Sequence, residues 1–586
     1  MDSITFKDTN ATVSTTYWLP ENNDDVMSLV TQAATKGQII CMRGAAHSFP
    51  IIGDLEDASA PSTTNKSSKP YLYVMLSKMY GINVLDPDTV WVQAGCHLGY
   101  DPFDPTGIST LENSLCYQLD NLGTANAPAP YNAKPYSPKS LPDLGGITHQ
   151  TVGGFLSTSS SGGSTTYSFE DALMGIDFIT WDGQKACLKS FKRPHPAKPN
   201  PDDPFYGAGV ATMGLFGIIV SATFRLSPQY YIVGSETIEY ADMCSLIDLF
   251  GANNGLPNLE TFCKNTEYTR LFWWPQHNPL GSDLARSVVW QAKRVTTLVE
   301  AQEYANLAFD KQNPPPDTRP GDGLKPYEEV PYIINSPIPA TLAADLLFTF
   351  IGRWPNWLLN LLGDTDLYQD IKGKVELAYA PFIFPGILDL FVTVDKPTNQ
   401  NGGPQLFADR WYTGLPMDNQ MSDRLMPIWF TELWIKIDQT QAVMTALKAF
   451  YDKQETTVDF SFNVEIYAAK SNEFWLSPSY NQDVIRIDVL WFANNLDNPV
   501  LFYQNFWDLL APFNYRPHWA KYQPDVVNLT TTDSNNQTTT IAIPGSEYLA
   551  SQYTKWDDWM ALRAQMDPDQ IFVNDYWRKR MDIKPL

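Results

Sequence analysis

Three stretches of this chain carry residue types that could do chemistry. The first is Arg43-Gly44-Ala45-Ala46-His47-Ser48-Phe49, a small-residue loop that follows a buried-looking run, Ile39 to Met42. Glycine and alanine keep bulk away, so backbone N–H groups there can meet the phosphate oxygens of a ligand. Taken alone, its histidine reads as a packed turn residue. The second stretch runs Thr151-Val152-Gly153-Gly154-Phe155-Leu156-Ser157-Thr158-Ser159-Ser160-Ser161-Gly162-Gly163-Ser164. Its hydroxyls and bare backbone would cradle a ligand, or form a flexible linker. Val152, Phe155 and Leu156 favour the first reading, because they tie the loop to ordered neighbours. The third is a stripe: strand alternation over Phe460 to Tyr467 puts Asn463, Glu465 and Tyr467 on one face and Val464 and Ile466 on the other. Such a stripe in an aromatic region needs partners or a ligand, unless it is a solvated face. Arg486 and Asp488 likewise share a face opposite Ile485, Ile487 and Val489, as a structural pair or as a cation for the site. His518 and Lys521 follow in Arg516-Pro517-His518-Trp519-Ala520-Lys521.

The elements that must hold these residues are legible in outline. Asp24 to Lys36 has helical spacing (Val26, Leu29, Val30, Ala33) and stops at Gly37. Ile39 to Met42, Tyr71 to Leu76, Ile82 to Leu85, Val90 to Gly95 and Ile218 to Leu226 read as strands. Gly175 to Trp181 and Ala186 to Leu188 read as a hairpin about Asp182-Gly183. From about Tyr230 the chain turns rich in Trp, Phe and Pro, with a proline-rich loop at Asn313 to Pro331, a helix at Thr440 to Lys453 and a strand at Val484 to Phe492. The fold class expected is α+β, with three segments: 1–229, 230–544 and a C-terminal return at 545–586.

Composition excludes several functions. A chain of 586 residues with 44% hydrophobic and 18% charged residues is globular and large enough for at least two domains. Its 41 basic and 65 acidic residues leave a net charge of −24, which repels phosphate backbones and argues against nucleic-acid binding. The six cysteines show neither C-x-x-C pairing nor zinc-type spacing with histidine, so no metal is expected. No signal-peptide pattern opens the sequence. No apolar run reaches the roughly 18 residues of a membrane span, and the nearest, Leu342 to Leu362, is broken by Asp345, Arg353 and Pro355. G-x-G-x-x-G, the P-loop, G-x-S-x-G and H-E-x-x-H are all missing.

In order and spacing, loop 43–48, loop 151–163 and Met213-Gly214-Leu215-Phe216-Gly217-Ile218-Ile219-Val220 resemble the FAD domain of vanillyl-alcohol-oxidase-type flavoproteins. Asp567-Pro568-Asp569-Gln570-Ile571-Phe572 resembles the segment that completes that domain. The resemblance implies FAD held by Arg43, Gly44, Ala45, Ala46, His47, Ser48, His149, Thr151, Val152, Gly153, Gly154, Ser157, Thr158, Ser161 and Gly162, with Ile218 and Ile219 near its adenine or ribitol. It also implies a covalent bond from His47 to the flavin. Relatives with two such bonds place a cysteine just before a T-V-G sequence. His149 stands there in this chain, so attachment through His47 alone is implied.

Leu415-Pro416-Met417-Asp418-Asn419-Gln420 and Pro427-Ile428-Trp429-Phe430-Thr431-Glu432-Leu433-Trp434 resemble the substrate domain of covalent-flavin bacterial cholesterol oxidases. Glu465-Ile466-Tyr467, Trp475 to Ser479 and Arg516 to Lys521 resemble stretches of alditol and aldonolactone oxidases, where the first motif is Glu-x-Arg. Tyr467 replaces that arginine. Lys521 is the first candidate for the missing cation and Arg486 the second. The expectation is a flavin-dependent alcohol oxidase in which hydride passes to flavin N5, the proton leaves to Glu465 directly or through Tyr467 or His518, and O2 regenerates the flavin as peroxide forms. The apolar runs Tyr268 to Trp274, Leu346 to Ile351 and Phe382 to Leu388 favour a bulky substrate such as a sterol. Peripheral membrane contact and an extracytoplasmic site would accompany a sterol. The alternatives are an alditol or sugar oxidase, a dehydrogenase using another acceptor, and a flavin-containing binding protein with a decayed site.

Overall fold

The computed structural model describes residues 1–7, 14–48, 69–252, 255–275, 285–308, 322–327, 404–419, 428–453, 461–492, 499–532 and 538–586. Phe49, Pro314 to Pro316, Leu342 to Leu362, Phe382 to Leu388, Gln420, Pro427 and Phe460 lie outside the described residues.

The chain begins with a four-stranded sheet of Asp2–Phe6, Thr15–Leu19, Tyr71–Met75 and Ile39–Arg43, in that order across the sheet. The last three strands are parallel, and such strands need a crossover. Helix Asn23–Lys36 supplies it. Asn22 caps the helix by accepting from the Asp25 amide at 3.0 Å, and Gly37 ends it at φ +63°, a conformation glycine takes without strain. Its buried face is Val26, Leu29, Val30 and Ala33, the face that the spacing predicts.

A five-stranded antiparallel sheet follows, ordered Ile82–Asp86, Thr89–Gln93, Ile218–Arg225, Leu173–Trp181, Ala186–Lys192. The expected hairpin joins its last two strands. C-terminal residues close this part of the molecule. The Ile40 amide donates to Ile571 O at 2.8 Å, Trp181 Nε1 donates to Asp569 at 2.6 Å, and Phe216 packs on Trp559 with ring centroids 4.9 Å apart.

The largest layer is an eight-stranded antiparallel sheet. Its order is Gln405–Arg410, Tyr231–Tyr240, Arg286–Val295, Tyr268–Trp274, Ser461–Ala469, Val484–Phe492, Ile428–Lys436, Arg516–Pro517. Period-two alternation gives it two unlike faces. One face presents Leu271, Trp273, Leu433, Ile435, Val464, Ile466, Ile485 and Ile487. These pack under helices Leu259–Asn265, Thr440–Lys453 and Pro499–Leu510 in a continuous core. At about 1.5–3 kcal/mol for each fully buried aliphatic side chain, this face holds the layer together. The other face is charged, and it carries the site. The expected α+β class describes the whole.

Candidate active site

Both small-residue loops converge. Gly44 lies so close to Thr151 that a Cβ on it would stand 2.9 Å from Thr151 Oγ1. His47 and His149 face each other with ring centroids 5.4 Å apart. His97 fixes the second of these, with Nδ1 2.5 Å from the His149 carbonyl. The second loop is not irregular throughout, as its composition suggests. Val152–Ser157 forms a short helix capped by Thr151, whose hydroxyl accepts from the Gly154 amide at 3.1 Å. Gly153 packs against Ala94, with its amide donating to Ala94 O at 2.9 Å. Val152 is in the core. The Ser157 and Thr158 hydroxyls both donate to Gly154 O at 3.1 Å, which uses their protons within the helix end. Ile218 and Ile219 lie in the five-stranded sheet opposite Ile179 and Phe178, inside the same core.

The loop after Arg43 fits a flavin dinucleotide. Ala46 adopts φ +63°, and the amides of Ala45 and Ala46 donate to no acceptor among the described residues, which leaves N–H groups for phosphate or flavin oxygens. Lys521 Nζ donates to the His47 carbonyl at 3.0 Å and lies 3.8 Å from the centre of the Phe430 ring. Burial, then Lys521 and Arg43, push the His47 imidazole down to about 3. The imidazole is therefore neutral near pH 7. The Arg43 guanidinium itself donates to Gly44 O at 2.9 Å and stacks 4.9 Å over Phe6. Ser48 and Ala45 are half-buried on the loop.

The charged face of the large sheet is organised in cross-strand rows. Phe272 pairs with Glu465, Glu465 with Asp488, and Asp488 with Glu432. In the neighbouring row Tyr467 pairs with Arg486 and Arg486 with Trp434, while Arg270 stands next to Leu271, the partner of Ile466. The stripe is buried, not solvated: Asn463, Glu465 and Tyr467 are 2%, 7% and 4% exposed. Tyr467 Oη donates to Glu465 Oε1 at 2.5 Å and stands 3.3 Å from Asp418 Oδ2. Arg270 bonds Asp418 and stands 3.7 Å from Glu465 Oε1. Burial, reinforced by Asp418 and opposed by Arg270, pushes Glu465 up to about 8.

Arg486 is engaged by Glu432, with Nε to Oε1 2.8 Å, more closely than by Asp488 at 3.7 Å. It also donates to the Ser161 carbonyl at 2.8 Å and to Gly162 O at 3.3 Å, so the second loop is pinned to the sheet. Burial alone would raise Glu432, but Arg486, His518 and Lys521 outweigh it and hold the group below the usual range. Asp488 is held well above its ordinary value by burial and then by Glu432. The charges therefore resolve into two ion pairs, Arg270–Asp418 and Arg486–Glu432, beside two carboxyls, Glu465 and Asp488, whose proton affinity burial raises. His518 accepts the Ala520 amide at Nδ1, 3.1 Å, so its proton sits on Nε2 and points at Ser160 Oγ, 3.4 Å away. Burial pushes its value down to about 4. At rest this imidazole offers no base at Nε2, which differs from the relay expected of it.

Three contributors escape a sequence reading: Arg270, Asp418 and Glu432. Asp418 and Glu432 sit inside stretches quoted for their resemblance but show no pattern of their own. Arg270 carries a usable signal, as the single cation in the aromatic strand Tyr-Thr-Arg-Leu-Phe-Trp-Trp. Leu271 and Trp273 of that strand point into the core under the helices, while Phe272 lies on the charged face beside Glu465.

Residues 383–580 match the family model of D-arabinono-1,4-lactone oxidase. The D-arabinono-1,4-lactone oxidase of Eremothecium gossypii is 23% identical over 285 residues, covering 48% of this chain and 42% of the relative. That of Saccharomyces cerevisiae is 22% identical over 301 residues, covering 50% and 49%. L-gulono-1,4-lactone dehydrogenase of Mycobacterium tuberculosis is 21% identical over 180 residues, covering 29% and 37%. The chain thus spans less than half the length of the curated relatives it matches. Among solved structures, cholesterol oxidase from Brevibacterium sterolicum aligns with TM-score 0.60 at 13% identity, over 99% of this chain and 97% of that one. A solvent-stable cholesterol oxidase aligns with TM-score 0.56 at 15% identity, over 98% and 97%. The solved structures show the fold at this identity, and the family model over residues 383–580 accords with the expected FAD cofactor.

Proposed function

We propose that this protein oxidises a hydroxyl-bearing carbon of a sugar lactone. The observation that carries the reading is the buried charged face around Glu465, Tyr467, Arg270 and Asp418, which suits a small polyhydroxylated ligand and would leave a sterol facing charges. The lactone oxidase and dehydrogenase names of the relatives support the same class. The sterol expectation loses its footing here. Leu271 and Trp273 of its nearest apolar strand pack into the core, and the cholesterol oxidase likeness at 13% identity speaks for the fold alone.

Bound FAD would supply the two-electron acceptor, held by loop 43–48 and, in this reading, covalently by neutral His47. Ionised Glu465 takes the substrate's hydroxyl proton at a carboxylate oxygen, while Tyr467 Oη, 2.5 Å away, orients that oxygen. Arg270 compensates the negative charge that gathers at the site. Lys521 stays with the His47 loop and fixes its carbonyl.

An anaerobic screen tests the proposal by following flavin bleaching with D-arabinono-1,4-lactone, L-gulono-1,4-lactone, xylitol and cholesterol. Lactones should bleach the flavin fastest. Peroxide on readmission of air would assign oxygen as the acceptor, and its absence would assign another. Faster bleaching by cholesterol, or none with any lactone, would overturn the reading.

A further inference from the structure

The residue two places beyond Glu465 is Tyr467, so the stripe brings no cation of its own. The cation arrives from the adjacent strand. Arg270 is 1% exposed, and its guanidinium lies 4.3 Å from the Phe272 ring centre on the same face as Glu465. It is bonded to Asp418 and stands 3.7 Å from Glu465 Oε1. Tyr467 Oη bridges the same two carboxylates at 2.5 and 3.3 Å. One guanidinium and one phenol therefore serve two acids.

Asp418 is held in place from the flavin side of the molecule. Its amide donates to Gly146 O at 2.8 Å, and Asn419 exchanges two 2.8 Å hydrogen bonds with Thr148, through the Thr148 amide and its hydroxyl. Gly146 makes room for this: a Cβ there would stand 2.4 Å from Asp418 Oδ2 and 3.1 Å from Tyr467 Oη. The segment continues directly to His149 and Thr151, which line the His47 loop.

The other charged and titratable groups facing Glu465 are already committed. Asp488 on strand Val484–Phe492 is held well above its ordinary value by burial and then by Glu432, and Arg486 on that strand is engaged by Glu432 from strand Ile428–Lys436. Glu236, from strand Tyr231–Tyr240, accepts from Tyr327 at 2.6 Å. Among the described carboxyl groups Asp418 lies against the guanidinium more closely than Glu465 does, and the buried Glu236 feels the same charge. We propose that Arg270 is the positioning residue that lets Glu465 ionise, and that Asp418 sets the proton affinity of Glu465 by drawing the guanidinium away from it. The role given to Glu465 rests on the function proposed above.

Asp418→Asn should free Arg270 for Glu465 and lower the midpoint of the pH–rate profile of anaerobic flavin reduction by about 1–2 units. Arg270→Gln should move the midpoint upward, and Arg270→Lys should bring it part of the way back. Should Arg270→Gln fail to fold, the lysine variant still reports direction. A midpoint that stays put or rises in Asp418→Asn overturns the proposal. A second readout needs no substrate. Glu465 is raised from 4.5 to about 8 in the folded protein, so its contribution to stability is complete below about pH 4.5 and is lost as pH rises through 8. The Tm of the holoprotein should fall across that window, and fall less in Asp418→Asn. Equal slopes would refute the coupling even if the lactone reading stands. If no lactone bleaches the flavin while the slopes differ, the function proposed above fails and the Arg270–Asp418–Glu465 coupling survives.

Discussion

Raising the pH from 7 to 9 should speed anaerobic flavin reduction about tenfold. The magnitude follows from Glu465, which burial and then Asp418 push up to about 8. A carboxyl with that value is ionised in about one-tenth of molecules at pH 7 and about nine-tenths at pH 9. The reaction needs the ionised form, because the group removes a proton, so the rate climbs with pH and levels off above the folded value. Stopped-flow absorbance at saturating lactone, with oxygen removed, reads this step apart from reoxidation. Glu465→Gln keeps the shape of the side chain and discards the base. It should slow reduction by about 100-fold or more and flatten the profile. A wild-type rate that is flat or falls with pH, or a glutamine variant that keeps the slope, would refute the assignment of Glu465 as base.

Two further outcomes test other parts of the site. His47→Ala should leave the flavin extractable: after acid precipitation the yellow colour stays with the wild-type polypeptide and goes to the supernatant for the variant, and flavin retained by the variant would exclude this residue as the attachment point. Gly162→Ala would put a Cβ 2.2 Å from the Leu144 carbonyl and 2.3 Å from Asp143 Oδ1, and the overpacking should cost about 1–3 kcal/mol, visible as a lower Tm, where an unchanged Tm would show that the segment between the second loop and the sheet gives way freely.

Much of this site is legible in the sequence because it depends on short-range rules. Alternation alone puts Asn463, Glu465 and Tyr467 on one face, and the structure buries all three there. The helix at Asn23–Lys36 announces itself through its spaced aliphatic residues and Gly37. The helix at Val152–Ser157 does not, since glycine and serine are poor helix formers and only the Thr151 cap and the packing of Val152, Phe155 and Leu156 sustain it. Arg270 is hidden for a different reason. Its neighbourhood is decided by strand order, and nothing local says that Tyr268–Trp274 lies beside Ser461–Ala469. The bond from Lys521 to the His47 carbonyl joins residues far apart in the chain, so no local rule announces it. His518 is redirected, because the Ala520 amide occupies its Nδ1.

The two unlike faces of the large sheet bear on how such a protein can change over time. Folding leans on the residues beneath the helices, such as Leu271, Ile466 and Ile487, while ligand chemistry leans on their alternate neighbours, such as Arg270, Glu465 and Arg486. A point substitution on the charged side can alter what is recognised without opening a void in the core, so new specificities lie within single steps. A one-residue insertion inside a strand has no such latitude, because it would exchange the two faces and drive guanidinium and carboxylate groups into hydrocarbon. Variation among descendants of this fold should therefore appear as replacements along the rows, with length changes confined to the connections between strands.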